Sequence, residues 1–262
     1  MRFWEAEEWI VGINPPLIRI DPICDTGVAA AFSSLRIGGV SRPPFDTLNL
    51  GRSVGDEERN VLENRRRFAE AAGIDLNRLH LCRQVHGVGI DIAVEGGPTL
   101  HPDRDGLISK TPGIALGVLT ADCVPILVVD PRTGAVGAIH AGWRGTLGGI
   151  ALNGLRAMEE AFGTEPGDCL AVICPSIGRC CYEVSEELAA EFKRRFGGEV
   201  VEGRRVDLAL ANAFQLKEAG VREIWVCRSC TCCQGELFFS HRRDKGRTGR
   251  MMSVIISSPS AS

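Results

Sequence analysis

Three short apolar runs follow one another in the middle of the chain, at residues 113–119, 124–129 and 135–139. Apolar runs of this length, bounded by turn residues, are typical of buried β-strands. Between the second and third runs, residues 130–134 (DPRTG) place a proline at an inner turn position and a glycine that tolerates positive φ. The second and third runs are therefore predicted to form an antiparallel hairpin.

This hairpin is predicted to bring a thiol and an imidazole together. If its turn is centred near Pro131 and Arg132, positions whose numbers add up to 263 face each other, and Cys123 then pairs with His140. Opposed residues on antiparallel strands have Cβ atoms about 5 Å apart. A bulge at Gly134 would shift this register by one residue.

The spacing of apolar positions predicts helices and further strands elsewhere in the chain. Gly73 and Gly163 are suitable helix stops, and Ser185 is a suitable N-cap. The predicted helices are 57–72, 146–162, 185–196 and 207–219, and the predicted strands include 79–82, 170–174, 223–226, 239–244 and a last strand ending at Ile256. Residues 257–262 are predicted to fray.

The composition is that of an ordinary globular protein. Of 262 residues, 44% are hydrophobic and 24% are charged, and no linker divides the chain, so we expect one domain over 1–262. The formal net charge of −3 provides no basis for binding nucleic acid or an anionic membrane. No apolar run approaches the roughly 18 residues of a membrane span, and the N-terminus lacks the pattern of a signal peptide. We therefore expect a cytoplasmic protein.

Eleven cysteines are many for an intracellular chain. An odd number without a regular framework favours thiols and metal ligands over disulfides. Two clusters contain most of them, one with Cys180 and Cys181, the other with Cys227, Cys230, Cys232 and Cys233. These clusters are consistent with a second metal site, a disulfide bridge or reduced, packed thiols, and the sequence leaves the three states open.

Cys123 and His140 are compatible with two kinds of chemistry, a cysteine nucleophile activated by an imidazole and a zinc site. A third ligand would favour zinc. His86 is the natural candidate, because among the five histidines only His86 and His140 lie at strand ends beside a glycine. A buried thiol next to a hydrogen-bonded histidine is the alternative to both. We interpret His101, which lies in a polar loop, as structural.

Arginines gather near the C-terminal end of the chain, as Arg242, Arg243, Arg247 and Arg250. Alternation along the predicted strand 239–244 would place His241 and Arg243 on one side and Ser240 and Arg242 on the other, and one of the two sets would line a pocket. Planar guanidinium groups suit phosphate, and so does the glycine-flanked helix start after Arg144.

Several motifs together resemble the YfiH family, also labelled polyphenol oxidase or laccase-domain proteins, whose members are described as purine nucleoside phosphorylases. They are QVHG at 84–87, TADC at 120–123, HAGWRG at 140–145, FSHRRD at 239–244 and TGRM at 248–251, together with GGVS at 38–41, LNLG at 48–51, PSIG at 175–178 and CYEV at 181–184. These motifs span nearly the whole chain in order. One departure is Cys174, which stands where the family pattern usually has glycine.

The resemblance implies a fold and a metal. The fold is a four-layer α/β/β/α sandwich with mixed sheets, similar to the catalytic domain of cytotoxic necrotizing factor, a cysteine deamidase. His86, Cys123 and His140 are then the ligands of a zinc ion. Copper, which the laccase label suggests, is not expected, because a multicopper oxidase needs many imidazoles and this chain has five histidines with no His-x-His pair.

The resemblance also implies an activity, phosphorolysis of adenosine, inosine and S-methyl-5′-thioadenosine to base and ribose 1-phosphate, with adenosine deamination beside it. The expected catalytic residues are Asp122, Cys123 and Arg144, and the expected substrate- and phosphate-binding residues are Arg36, Asn49, Arg144, His241, Arg243 and Arg250. The expected partners are purine nucleosides and phosphate, and the expected state is a monomer or homodimer. The alternatives are an amidase with Cys123 as nucleophile and a zinc-stabilised module that binds small molecules.

Overall fold

A computed structural model describes residues 1–258 of the chain, and residues 259–262 lie outside the described part. In chain order, the strands of residues 1–258 are β1 (Arg2–Trp4), β2 (Ile10–Val11), β3 (Leu17–Arg19), β4 (Ala29–Ser34), β5 (Leu79–Arg83), β6 (Ile90–Ile92), β7 (Leu100–Pro102), β8 (Gly106–Ser109), β9 (Ala115–Thr120), β10 (Val124–Asp130), β11 (Ala135–Ala141), β12 (Leu170–Ile173), β13 (Val201–Glu202), β14 (Arg205–Val206), β15 (Glu223–Cys227) and β16 (Met251–Ser257). Ser257 thus pairs within β16, although fraying was predicted from this residue onwards.

Helices form at all four predicted positions, and one further helix, α1 (Asp21–Cys24), was not predicted. They are α1 (Asp21–Cys24), α2 (Glu58–Ala72), α3 (Trp143–Gly148), α4 (Ile150–Phe162), α5 (Glu186–Phe196) and α6 (Leu208–Glu218). The Ser185 side chain caps α5 by accepting from the Leu188 N–H, as predicted. The helix predicted over 146–162 is two helices, because Gly149 adopts φ +83°, a left-handed conformation that interrupts the helical path.

Two seven-stranded mixed sheets form the centre of the molecule. The first sheet has the order β1-β15-β12-β10-β11-β8-β6, and the second has the order β2-β3-β4-β16-β9-β5-β7. One hydrophobic core fills the space between the sheets. A second core packs the outer face of the first sheet against α4, α5 and α6, and a third packs the second sheet against α2.

This arrangement confirms the predicted α/β/β/α sandwich with mixed sheets. Strands β10 and β11 lie between two apolar layers, and every residue in both is buried. A strand covered on both faces reads as a continuous apolar run, which is the pattern the sequence has here. The predicted similarity to the cytotoxic necrotizing factor domain stays a prediction.

The chain crosses three times from the second sheet to the first, at residues 84–89, 103–105 and 121–123. Strands β5, β7 and β9 run parallel to one another in the second sheet, so their carboxyl ends meet at one edge. Each is followed by a strand of the first sheet, β6, β8 or β10. The three crossings are therefore brought together at one end of the sandwich.

The hairpin of β10 and β11 forms as predicted, but its register was predicted wrongly. Asp130 pairs with Ala135, so the loop has four residues, and His140 lies opposite Pro125 instead of Cys123. The Asp130 carboxylate accepts hydrogen bonds from the backbone N–H groups of Arg132 and Thr133, which stabilises the longer turn. Cys123 precedes β10 and approaches His140 from the crossing.

The strand predicted over 239–244 is also wrong, because these residues form a loop of successive turns. The Asp244 N–H donates to the Ser240 carbonyl at 3.0 Å, and the Arg243 N–H donates to the Ser240 hydroxyl at 3.1 Å. Side chains in such turns do not alternate between two faces. The predicted grouping of His241 with Arg243 therefore fails.

No helix within residues 1–258 combines the length with the apolar character needed to cross a bilayer.

Candidate active site

A cavity of about 530 Å³ opens where the three crossings meet. This volume lies within the range of about 300–1,000 Å³ that is usual for small-molecule sites. Its lining contains five arginines and, among the described residues, only one acidic side chain, that of Asp122. The arginines are Arg52, Arg83, Arg144, Arg242 and Arg250. Such a charge balance favours an anionic ligand.

The side chains of His86, Cys123 and His140 converge at one wall of this cavity. Their donor atoms all lie within 4.8 Å of one another. His86 comes from the first crossing, Cys123 from the third and His140 from β11. Within residues 1–258, no fourth His, Cys, Asp or Glu joins the group. Imidazole and thiolate groups are zinc ligands, and catalytic zinc sites have three protein ligands and keep a fourth position free for water or substrate.

Asp105, in the second crossing, holds the two histidines in place. Its fully buried carboxylate accepts from His140 Nδ1 at 2.8 Å, which leaves His140 Nε2 for Cys123 or a metal. The same carboxylate accepts from the backbone N–H groups of Val85, His86 and Gly87 at 3.2, 2.9 and 2.7 Å. A carboxylate behind a histidine ligand is a common feature of metal sites. Sequence reasoning missed this residue.

A glycine allows the close approach of the three donor side chains. A Cβ atom added to Gly142 would lie 2.9 Å from Cδ2 of His86 and 3.4 Å from Sγ of Cys123. The first distance is shorter than real Cβ contacts, so a side chain here would displace His86. The HAGW sequence at 140–143 therefore supplies the donor His140 and, at Gly142, the space that the His86 ring occupies.

Cys123 and His140 form an ionised pair when no metal is bound. Burial raises the pKa of the Cys123 thiol, but His140 and His86 outweigh this effect and lower the pKa to about 6. Burial lowers the pKa of His140, but the Cys123 thiolate and Asp105 outweigh it and raise the pKa to about 9. Between these values the pair is a thiolate beside an imidazolium, and the thiolate is the form that binds metals and attacks electrophiles.

Alkylation tests this ionised pair. In metal-free protein we expect iodoacetamide to modify Cys123 at neutral pH, with a rate that rises around pH 6 instead of the usual value of about 8.5. Peptide mass spectrometry identifies the modified cysteine. Saturation with zinc should protect Cys123. A rate that rises only near pH 8.5 would contradict the ionised pair, and modification unaffected by zinc would contradict the metal site.

Asp122 lies in the same crossing as Cys123 and adopts φ +88°. Its Oδ1 accepts from the Thr231 hydroxyl at 2.7 Å, and its Oδ2 accepts from the Arg242 backbone N–H at 2.6 Å. Asp122 therefore joins the third crossing to the loops that carry Thr231 and Arg242. It still lines the cavity, where each carboxylate oxygen can accept a further hydrogen bond.

Arg144 and Arg250 line the cavity, and within residues 1–258 neither forms a salt bridge. The Arg144 guanidinium lies 4.4 Å from the centre of the Trp143 ring. The Arg250 guanidinium donates to the backbone carbonyls of Thr248 and Gly249, and burial lowers its pKa. Both cations are thus held in position by neutral groups and keep their charge available for an anion.

The structure places three predicted phosphate ligands outside the cavity lining. Arg36 binds the Asp46 carboxylate at 3.0 Å, and Arg243 binds that of Asp244 at 2.9 Å. The Asn49 side chain accepts from the Arg250 N–H at 2.9 Å, so it positions a cavity residue from behind. These three side chains hold loops in place, and their phosphate contacts stay predictions.

His241 lines the cavity as expected, and two further lining residues had no role assigned from the sequence. Trp143 supports Arg144, and Tyr182 lies 5.1 Å below the Arg242 guanidinium. Burial raises the pKa of Tyr182 to about 12, so its hydroxyl keeps its proton at neutral pH. His101 is buried and bonds to Asp91, which agrees with its structural interpretation.

Comparisons with known proteins give consistent results. The family model described as multi-copper polyphenol oxidoreductase laccase matches residues 30–258. The chain is 38% identical to purine nucleoside phosphorylase YlmD of Geobacillus stearothermophilus over 96% of this chain and 95% of that one. It is 42% identical to a purine nucleoside phosphorylase of Deinococcus radiodurans over 92% of each. The crystal structure of hypothetical protein YfiH of Bacillus licheniformis matches with a TM-score of 0.88 at 33% identity, over 95% of this chain and 99% of that one. This chain therefore belongs to the laccase-domain family that contains the YfiH and YlmD proteins.

Proposed function

We propose that this protein is a zinc-dependent purine nucleoside phosphorylase. The observation that carries the proposal is the three-donor group of His86, Cys123 and His140 beside two unpaired arginines in one cavity. Relatives named purine nucleoside phosphorylase, similar over nearly the whole chain, support this activity. We propose a single catalytic domain over 1–262, and the cytoplasmic location and the monomeric or homodimeric state stay predictions.

The donor set fits zinc and leaves room for chemistry. His86, Cys123 and His140 would hold the ion, with Asp105 fixing the orientation of His140. When bound, zinc supplies a Lewis acid that polarises oxygen ligands and lowers the pKa of water. A fourth protein ligand, which the zinc-stabilised binding module requires, is not among the described residues of the group.

Phosphorolysis assigns distinct tasks to the cavity residues. Arg144 and Arg250 bind the phosphate oxygens, because charge-assisted contacts with a planar guanidinium are strong and directional. A phosphate oxygen forms the new bond to the ribose anomeric carbon, and the bond from that carbon to the purine nitrogen breaks. The proton of the attacking hydrogen phosphate is transferred to the leaving purine, and ribose 1-phosphate remains. Trp143 and Tyr182 are the aromatic side chains of the lining, and we assign them the contact with the base.

Adenosine deamination, the proposed side activity, requires a group that transfers a proton near C6 of the purine. Asp122 is the acidic side chain in the cavity lining, so we assign it this task. Its hydrogen bonds to Thr231 and to the backbone of Arg242 fix its position. The products are inosine and ammonia, with one water consumed.

The arginines provide the test of this function. In Arg144→Ala and Arg250→Ala, we expect KM for phosphate to rise roughly ten- to a hundredfold, while KM for adenosine changes much less. The reason is that each guanidinium contacts the phosphate and not the nucleoside. Steady-state kinetics with each substrate varied in turn measure the two constants separately.

Arg83→Ala is the matched control for this experiment. Arg83 also lines the cavity, but its guanidinium is exposed and paired with Asp103 at 2.9 Å, so its removal should leave KM for phosphate nearly unchanged. Equal losses for adenosine and phosphate in Arg144→Ala and Arg250→Ala would contradict the assigned role. Adenosine cleavage that needs no phosphate would contradict the phosphorylase itself.

Cysteine amidase activity is the second candidate, because Cys123 and His140 form a thiolate–imidazolium pair. That pair is the activated nucleophile of cysteine hydrolases. The two candidates differ in their need for metal. An amidase should keep its activity in the presence of a chelator, whereas the proposed phosphorylase should lose it.

A further inference from the structure

A second group of metal-binding side chains lies beside the active-site cavity and takes no part in the proposed reaction. Cys180, Cys181, Cys230 and Cys233 place their sulfur atoms all within 4.8 Å of one another. The first pair lies in the turn after β12, and the second pair lies in the loop after β15. Of the four cysteines that the sequence places at 227–233, only Cys230 and Cys233 belong to this group, and Cys227 and Cys232 do not.

The spacing of the sulfur atoms fits a single tetrahedral ion. Four sulfurs at about 2.3 Å from a zinc ion lie about 3.8 Å from one another. Cys233 Sγ lies 3.6 Å from Cys180 Sγ and 3.4 Å from Cys181 Sγ. Cys230 and Cys233 also have the C-x-x-C spacing that supplies two ligands to one ion in structural zinc sites. A disulfide would join only two of the four sulfurs.

The backbone around Cys230 suits a thiolate. The Gly178 N–H donates to Cys230 Sγ at 3.2 Å. A Cβ atom on Gly178 would lie 3.2 Å from Cys180 Sγ and 3.4 Å from Cys230 Sγ, so this glycine lets the backbone approach the sulfurs closely. Hydrogen bonds from backbone amides stabilise the charged form of a thiol, which is the form that binds zinc.

We propose that these four cysteines bind a second, structural zinc ion that fixes one wall of the catalytic cavity. Structural zinc sites are closed sites with four protein ligands, and four cysteines are a common set. The site lies next to two cavity contacts along the chain: Cys181 precedes Tyr182, and Cys230 precedes Thr231, which donates to Asp122. The second zinc thus connects the turn carrying Tyr182 with the loop that holds Asp122.

Metal analysis of the full chain and its variants tests this second site. We expect two zinc ions per wild-type chain and one in Cys180→Ser/Cys233→Ser, whose two replaced side chains are exposed and leave the core intact. In Cys123→Ala, which lacks the catalytic ligand, cobalt(II) should give the intense near-ultraviolet and visible bands of a four-thiolate tetrahedral site. If the active-site side chains bind no zinc, the cobalt spectrum of Cys123→Ala still tests the four-cysteine site.

Cys24→Ser is the control, because Cys24 is a partly buried free thiol outside both groups, and we expect this variant to keep two zinc ions. The proposal is overturned if Cys180→Ser/Cys233→Ser keeps the wild-type zinc content, or if Cys123→Ala shows no four-thiolate cobalt bands. It is also overturned by a brown, iron-containing protein. Fewer than eleven free thiols in protein unfolded without reductant would show a disulfide instead.

Discussion

Cys123→Ala is expected to lose the zinc ion of the active site and at least about a hundredfold in kcat/KM for adenosine phosphorolysis. Cys123 supplies the one anionic ligand of the group, and His86 and His140 are neutral when they bind a metal. Removal of an outer-shell partner typically costs 10- to 100-fold in metal affinity or activity, so the loss of a direct ligand should cost at least as much. Elemental analysis and steady-state kinetics on the same preparation measure both effects.

The control for this variant is Cys24→Ala, which removes a thiol that belongs to neither donor group and should keep wild-type zinc and activity. Cys123→Ala distinguishes the two proposed roles of Cys123, as a zinc ligand and as a nucleophile. Full zinc occupancy in Cys123→Ala would refute its assignment as a ligand. Normal zinc content together with complete loss of activity would instead favour the nucleophile.

Asp105→Asn is expected to weaken zinc binding about 10- to 100-fold and to lower the free energy of unfolding by about 3 kcal/mol. The buried carboxylate accepts hydrogen bonds from His140 and from three backbone N–H groups. Asparagine has one acceptor oxygen, and its NH₂ group faces donors. Competition with a zinc chelator and urea unfolding of the metal-free protein measure the two effects.

Asp103→Asn is the matched control, since Asp103 lies two residues away but has an exposed carboxylate paired with Arg83. It should keep both wild-type stability and zinc affinity. Equal effects of the two substitutions would contradict the special role of Asp105.

The stability of the metal-free protein should also change with pH through Asp105. Burial raises the pKa of this carboxyl, but the hydrogen bonds from His140 and the backbone outweigh it, so the pKa lies below its usual value. A lowered pKa in the folded state contributes stability that is present above the unfolded pKa of about 3.9 and is lost as the pH falls further. Asp105→Asn should remove this part of the acid sensitivity.

The pattern of apolar residues predicted the layers of the fold. It failed where hydrogen bonds of a side chain determined the backbone conformation. The apolar runs at 124–129 and 135–139 predicted a buried hairpin, because a strand covered on both faces has few polar positions. Its register depended on how many residues the turn used. The Asp130 side chain made that turn longer, and no apolar pattern reports such hydrogen bonds.

The sequence predicted the three candidate metal ligands but not Asp105, which holds two of them in place. His86, Cys123 and His140 each stand beside a distinctive residue or motif, so they could be identified one at a time. Asp105 acts through contacts across 18 to 35 residues of sequence that exist only once the crossings are aligned. One available signal was its position directly before a buried strand, where an acidic residue must find partners.

The arginines show the limit of reasoning from residue type. Arg243 and Arg250 lie in motifs of the family, Arg36 lies two residues before one, and each can bind phosphate by its chemistry. In the structure Arg36 and Arg243 are paired with nearby carboxylates, and Arg250 is not. The difference depends on which loop places an acid within reach, which a sequence motif does not encode.

The most direct test of the account is adenosine turnover by zinc-loaded protein with and without phosphate. We expect adenine and ribose 1-phosphate in equal amounts, formed only when phosphate is present and abolished when a chelator removes the zinc. Chromatography of the base, together with an assay of the sugar phosphate, measures both products. Adenine formation without phosphate, or unchanged turnover in metal-free protein, would contradict the proposed zinc-dependent phosphorylase.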